Sequence, residues 1–415
     1  MRAEAGDKQD LATLSDVMKR VEQGYVVPVG GDTLVDNALK GMLSRLDPHS
    51  NYLNRVEYAR LKSDMEGQFG GLGMQITQEN GVPKVLAPID GTPAAKAGID
   101  PGDLIVRIDG KPTDGMNLED VLANLRGRVG TQVTLSLKRA DQPTFDVTLT
   151  RAIIHVDTVK SMLEPNKIGY ARISTFTDTT QQELVTALAA LQHKAGGRLS
   201  GFVLDLREDP GGELDAAVDV AGDFLPGGTV VSTRDRKGAV HAYTAPANGD
   251  RLKGVPMVVL IDSASASASE IVAGALKDHH RAELMGTPSF GKGSVQTILP
   301  VDTGGAVVLT TALYFTPAGR SIQGIGIHPD IVVAVPSDQQ VPNAVLRETD
   351  LSNALKNAGA LEPDAGTAPD APARPANSPD LDRPIKPTLI GTAQDAQLKA
   401  AFEHLKAAAG KAGAG

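Results

Sequence analysis

The 415-residue chain contains no cysteine and no tryptophan. Without cysteine there is no disulfide framework, no thiolate nucleophile and no cysteine-ligated metal. That absence is compatible with an oxidising compartment. Aromatic residues reach only 3%, too few for a base-stacking surface or a sugar-binding platform. No stretch approaches the roughly 18 apolar residues of a membrane span, and the apolar run Pro256 to Ile261 reads as a buried strand instead. The opening MRAEAGDKQD lacks the apolar segment of a secretion signal, so the chain reads either as cytosolic or as one whose signal has been removed. Lys plus Arg number 41 against 50 Asp plus Glu, and the net charge of -9 offers no general attraction to nucleic acid or an anionic membrane. The eight histidines form no HExxH pattern, and His279 with His280 reads as surface. Gly70, Gly71 and Gly73 lack the third glycine of a dinucleotide fingerprint, and there is no GKS or GKT phosphate loop. No cofactor and no metal is expected.

What is present is a hydrophobic content of 41%, enough for a sizeable core in two or three domains. Four parts are legible. Residues 1–66 repeat apolar positions at helical spacing (Leu34, Ala38, Leu43, Leu46), with Asp32 or Thr33 as a cap and Asp47-Pro48 as a stop. Tyr25 and His49 read there as packing or turn-fixing residues. Residues 67–154 alternate short apolar runs with Gly, Pro and Asp turns, the pattern of a compact, mostly β module with one helix, Leu118 to Leu125. In residues 155–335 strands and helices alternate, which predicts a parallel or mixed sheet with helical cover. SVQTILPV and AVVLTTALYFTP read as a hairpin within it. In 336–415 a Pro/Ala/Asp-rich linker separates two helical stretches, RETDLSNALKNAG and AQDAQLKAAFEHLKAAA. The fold class is therefore multidomain α/β: a mixed-sheet core, an inserted β module and an N-terminal helical segment.

Three strand-end motifs of the core carry chemistry. DSASASASEIVAGALKDH, Asp262 to His279, follows a buried strand and enters a helix, where a serine hydroxyl meets unpaired N–H groups. The plain alternative is a serine-rich helix cap. SFGKGSVQ sets Lys292 between glycines, where it is buried at low steric cost, loses its proton more easily and can act as a general base. Gln296 follows four residues later. DLREDPGG, Asp205 to Gly212, exposes glycine N–H groups of the kind that hold an oxyanion. Sites in α/β architectures commonly gather at such strand ends.

With LDPHS (Leu46 to Ser50) and GIGIHPD (Gly324 to Asp330), these motifs resemble the C-terminal processing peptidases, tail-specific serine proteases with an inserted PDZ domain. The likeness runs from about Leu11 to Ile331. It implies Ser267 as nucleophile among the rivals Ser263, Ser265 and Ser269, Lys292 as general base, Gln296 as its orienting residue, and Gly212 and Ala268 N–H groups as oxyanion hole. It identifies 67–154 as a PDZ domain. Gly71, Leu72, Gly73 and Met74 would then receive the substrate's C-terminal carboxylate, beside the helix 118–125. Further implications are a periplasmic or cell-envelope location, lipoproteins or murein hydrolases as substrates, a homo-oligomer, and room for an adaptor protein. Apolar faces in residues 11–65 and in the tail helix 393–409 suggest that the oligomer forms through these elements. Asp209 and Asp262 stand where the family usually has asparagine. A charge about 6 Å from the oxyanion would cost roughly 3 kcal/mol, unless solvent or Arg207 cancels it. That departure leaves a second reading open, a PDZ-bearing scaffold that binds C-termini without turnover. A small-ester hydrolase, the third reading, leaves the β module without a task.

Overall fold

The computed structural model describes residues 2–79, 81–140, 142–341, 346–357 and 383–412. At its centre is a six-stranded sheet ordered Val159–Leu163, Ile168–Ile173, Gly201–Asp205, Met257–Ile261, Glu283–Gly286, Ile331–Val332. The first pair is antiparallel and every later pair parallel. Its strands are apolar on both faces because both faces are covered. Phe202, Leu204, Val259 and Ile261 join the core with helices Thr180–Lys194, Leu214–Gly222 and Ala268–Asp278. The alternate residues Val203, Val258 and Leu260 meet Leu398, Ala401, Phe402 and Leu405 of the tail helix Ala396–Ala412.

Beyond the three helices lies a second, antiparallel sheet. Asn51–Leu53, Ala306–Phe315, Gly228–Asp235 and Val240–Ala245 follow one another, and Ser294–Pro300 pairs with Ala306–Phe315 as the expected hairpin. The β module has its own sheet, Met74–Glu79, Val82–Pro88, Leu104–Ile108, Gln132–Lys138, Phe145–Thr150, and its own core around Val85, Ile105, Val121, Leu135 and Leu137. Helix Leu118–Leu125 closes that core. A two-stranded ribbon, Gln68–Gly71 with Ala152–His155, joins the module to the rest. Mixed α/β architecture with an inserted β module is thus the observed fold.

Several sequence expectations are corrected. The second N-terminal helix, Gly31–Leu43, is capped by Gly30 without a side-chain hydrogen bond, not by Asp32 or Thr33. Asp47 stops no helix directly; it folds the turn after it, accepting from His49 N and Ser50 N at 2.9 Å each. Tyr25 is exposed and not a packing residue. The tail helix spends its apolar face on its own sheet, not on a neighbouring subunit. Helical periodicity reveals that a face must be buried but not against what. RETDLSNALKNAG forms no α-helix among the described residues, only a single 3-10 turn at Glu348–Asp350. Its backbone and side chains are drawn instead to the loop 289–293, with Glu348 N donating to Phe290 O and Arg347 Nη1 to Ser289 O. Most of the Pro/Ala/Asp-rich linker falls outside the described residues. No described helix is long and apolar enough to cross a membrane.

Candidate active site

The strand Met257–Ile261 ends at Asp262, and the turn after it delivers Ser267 to the N-terminus of helix Ala268–Asp278. Ser267 has φ 54° and ψ -111°, a conformation that side-chain-bearing residues rarely adopt. Strain of this kind persists where the surroundings over-determine it, which marks functional turns. Its rivals are occupied. Ser265 Oγ donates to Leu206 O at 2.8 Å and Ser269 Oγ to Asp209 O at 3.0 Å, and both residues are fully buried. Ser263 is buried as well, whereas Ser267 retains 8% exposure.

A residue that the sequence reading passed over holds this turn. Glu270 is fully buried, and its Oε2 accepts from Ser267 N at 2.8 Å and from Lys292 N at 2.9 Å. Its Oε1 accepts from Ser289 Oγ at 2.5 Å and Gly291 N at 2.8 Å. One carboxylate therefore staples the serine turn to the lysine loop. Burial pushes its pKa up to about 7 even though four donors favour the ionised form. The sequence signal was the Ser-x-x-Glu spacing of a capping box, Ser267 to Glu270.

Lys292 is half-buried, and no hydrogen bond or ion pair among the described residues engages its Nζ. Burial lowers its pKa from the ordinary lysine value, against the opposing charges of Glu348, Glu270 and Asp47. A cavity of about 610 Å³ opens beside it, lined by Pro210, Ala264, Ala266 and Phe290 and by Leu346 and Pro384 of the tail. Gln296 does not reach Lys292 Nζ. Its Nε2 donates to Ser294 Oγ at 3.0 Å and to Thr310 Oγ1 at 3.1 Å. Thr310 Oγ1 in turn donates to Asp47 Oδ1, so Gln296 belongs to a polar network linking LDPHS to the hairpin.

The glycines of DLREDPGG lie against the serine. A Cβ on Gly211 would stand 2.7 Å from Ala266 O and 2.8 Å from Ala268 N. Gly212 has φ 147°, and a Cβ there would meet Phe176 O at 2.0 Å, so only glycine fits. Phe176 fixes the loop, donating from N to Gly211 O and accepting at O from Glu213 N. Among the described residues neither Gly212 N–H nor Ala268 N–H has an acceptor. Two unspent donors beside the strained serine are what an oxyanion requires.

Asp209 and Asp262 are fully buried. Asp209 Oδ1 accepts from Gly211 N, and Asp262 Oδ1 from Glu208 N, Ala264 N and Ser265 N. Each has an Oδ2 without a partner among the described residues. Burial raises the pKa of both above the ordinary aspartate value, Asp209 the more strongly, which shifts each toward the neutral acid. The electrostatic penalty expected from the sequence is correspondingly reduced. Arg207 makes its hydrogen bonds to Asp205, Asp395 and Gln397 and acts on Asp262 only through space, where its charge favours the ionised form.

In the β module, Gly70 and Gly71 are strand residues paired with Ile153 and Ala152. Leu72 and Gly73 lie between strands, and their carbonyls accept from Ala94 N and Ile89 N. Their own N–H groups have no acceptor among the described residues. Met74–Glu79, next along the chain, is an edge strand and so open to pairing with an added peptide.

A strained serine at a helix N-terminus, a half-buried lysine and a separate β module together describe a serine peptidase with a recognition domain. Residues 167–333 match peptidase family S41 and residues 84–139 match the PDZ domain. The chain is 44% identical over 384 residues to the carboxy-terminal-processing protease of Bartonella bacilliformis, covering 91% of this chain and 88% of that one. It is 34% identical over 342 residues to the carboxy-terminal processing protease CtpA of Bacillus subtilis, covering 82% and 72%. Among solved structures it is similar to a photosystem II D1 C-terminal processing protease, 31% identical with a TM-score of 0.46, covering 77% of this chain and 92% of that one. The chain belongs to peptidase family S41, among its PDZ-containing carboxy-terminal-processing proteases.

Proposed function

We propose that the protein is an endopeptidase that captures unstructured C-terminal regions through its PDZ domain and cleaves them by acyl transfer from a Ser-Lys pair. Neutral Lys292 takes the proton of Ser267 Oγ as that oxygen attacks the scissile carbonyl. The N–H groups of Gly212 and Ala268 hold the developing oxyanion. Lysine then protonates the leaving amine, and water releases the acyl-enzyme. The observation that carries this reading is the single Glu270 carboxylate tying the Ser267 and Lys292 backbones together beside two unspent donors. Gln296 acts at one remove in this reading, by bracing the hairpin strand that follows Lys292.

Substrate capture rests on Leu72 and Gly73 N–H, with Gly71 and Met74 flanking them. Matched free-acid and amidated peptides test it. Amidation removes a charged acceptor, so KM should rise about tenfold or more, and binding to Ser267→Ala should weaken equally. Equal binding of the two peptides would exclude carboxylate recognition. Cleavage of an unfolded protein by wild type but not by Ser267→Ala tests the activity itself.

The cell envelope is the proposed setting, with lipoproteins or murein hydrolases as substrates and with room for an adaptor; cell fractionation checks the placement. Leu11, Leu14, Val17 and Val26 are exposed on and after the first helix, Arg2–Gly24, which supports a homo-oligomer formed through the N-terminal segment. Light scattering should give at least a dimer for the full chain, and less for a chain lacking residues 1–30. A monomer mass for the full chain at tens of micromolar would refute it.

A further inference from the structure

Glu348 belongs to the tail, beyond the S41 match that ends at residue 333, and to none of the motifs above. It is nevertheless only 1% exposed. His49 Nε2 lies 3.0 and 2.8 Å from its two carboxylate oxygens, and Gln323 Nε2 donates to Oε1 at 2.9 Å. The amide Oε1 of Gln323 in turn accepts from Gly293 N at 2.9 Å, next to Lys292. Glu348 N donates to Phe290 O at 3.3 Å, and Arg347 Nη1 to Ser289 O at 2.9 Å. The tail thus clamps 289–293 from one side, while Glu270 holds the same loop from the other.

Three acidic groups act on Lys292: Glu348 most, then Glu270 and Asp47. All three are also hydrogen-bonded by other groups. Glu270 faces four donors, with its charge partly quenched near neutral pH, and Asp47 is bound by His49 N, Ser50 and Thr310. Glu348 faces His49, Gln323 and, through space, Lys292. A buried carboxylate brought back from the tail to this one place serves the loop and the amine it carries.

We propose that Glu348 is a positioning residue of the catalytic lysine, holding the 289–293 loop through Gln323 and through its own N–H to Phe290 O, with His49 fixing its carboxylate, and acting on the Lys292 amine through space. This rests on Lys292 being the base, and the test separates the two. In full-length protein carrying Ser267→Ala, competitive acylation of the Lys292 amine as a function of pH reports its protonation without any need for turnover. Removing a negative charge makes the ammonium more acidic, so Glu348→Gln should lower the titration midpoint by about one pH unit. Glu348→Asp, whose shorter arm retracts the charge but keeps the carboxylate, should fall between it and wild type, and serves alone if the glutamine variant fails to fold. In the active enzyme the acid limb of kcat/KM should move in the same order, with a lower plateau from the loosened loop. A merely structural role would lower the plateau and leave the midpoint in place. Unchanged midpoints in folded variants would overturn the proposal. Shifted midpoints together with an active Lys292→Arg would instead overturn the base assignment and leave the Glu348–Lys292 coupling standing.

Discussion

Replacing Lys292 with arginine should reduce cleavage on the order of a thousandfold, the scale of a lost general base. The mechanism requires a neutral amine. Burial of Lys292 lowers its pKa from 10.5, so the neutral form is reached at lower pH than for a free lysine. Arginine remains protonated in essentially any protein site and has no lone pair to offer. It also keeps the positive charge and most of the length, so the surrounding carboxylates stay compensated and the fold should survive. The sign of the pH dependence follows. Wild-type kcat/KM rises with pH as the ammonium deprotonates, with its midpoint below the ordinary lysine value. A steady-state profile of both proteins between about pH 6 and 9 measures this. An arginine variant that kept a tenth or more of wild-type turnover, or a wild-type rate that fell with rising pH across that range, would sink the assignment.

Arg207→Ala should cost about 3 to 5 kcal/mol of stability, because breaking a buried ion pair from one side leaves unpaired buried charge behind. Arg207 is fully buried between two carboxylates. Its Nε and Nη2 donate to Asp205 at 2.9 and 2.6 Å, and Nη1 and Nη2 donate to Asp395 at 3.0 and 2.6 Å. Gln397 Oε1 accepts a further bond from Nη1 at 2.9 Å, and Tyr170 OH donates to Asp205 Oδ2 at 3.0 Å. Asp395 opens the tail helix, and Arg207 stands just before the turn that presents Gly211 and Gly212. The guanidinium therefore locks the tail to the loop that carries Gly211 and Gly212. Lysine cannot reproduce the double fork, so Arg207→Lys should recover little of the loss. Urea unfolding gives the stability change, and cleavage of a peptide substrate by the folded fraction tests the link to the site. A loss under about 1 kcal/mol would show that the cluster is not the lock described.

The strand alternation of residues 155–335, the hairpin and the compact β module were legible because they are local patterns. Apolar runs and turn residues act over a few positions, and in these parts the structure follows them, whereas the cap expected at Asp32 or Thr33 falls at Gly30. The same holds for the motif residues. Ser267, Lys292, Gly212 and Ala268 all sit at strand ends or helix starts that their neighbours announce. Gln296 lay in a readable motif, yet its partners, Ser294 and Thr310, are set by hairpin register and a bulge at Val295/Gln296.

The protein's sequence alone determined the strand–helix alternation of the core, the family and the motifs that carry the candidate site. Tertiary structure decided which groups finish that site. Glu348 meets His49 across 299 residues and Asp395 meets Arg207 across 188. Such pairs leave no periodicity, because a single buried carboxylate in a polar tail has the same local pattern as a solvated one. The ionisation of Asp209, Asp262 and Glu270 was equally invisible. A carboxyl's pKa is set by how much water the fold removes and how many donors it supplies, and both are properties of the packed chain.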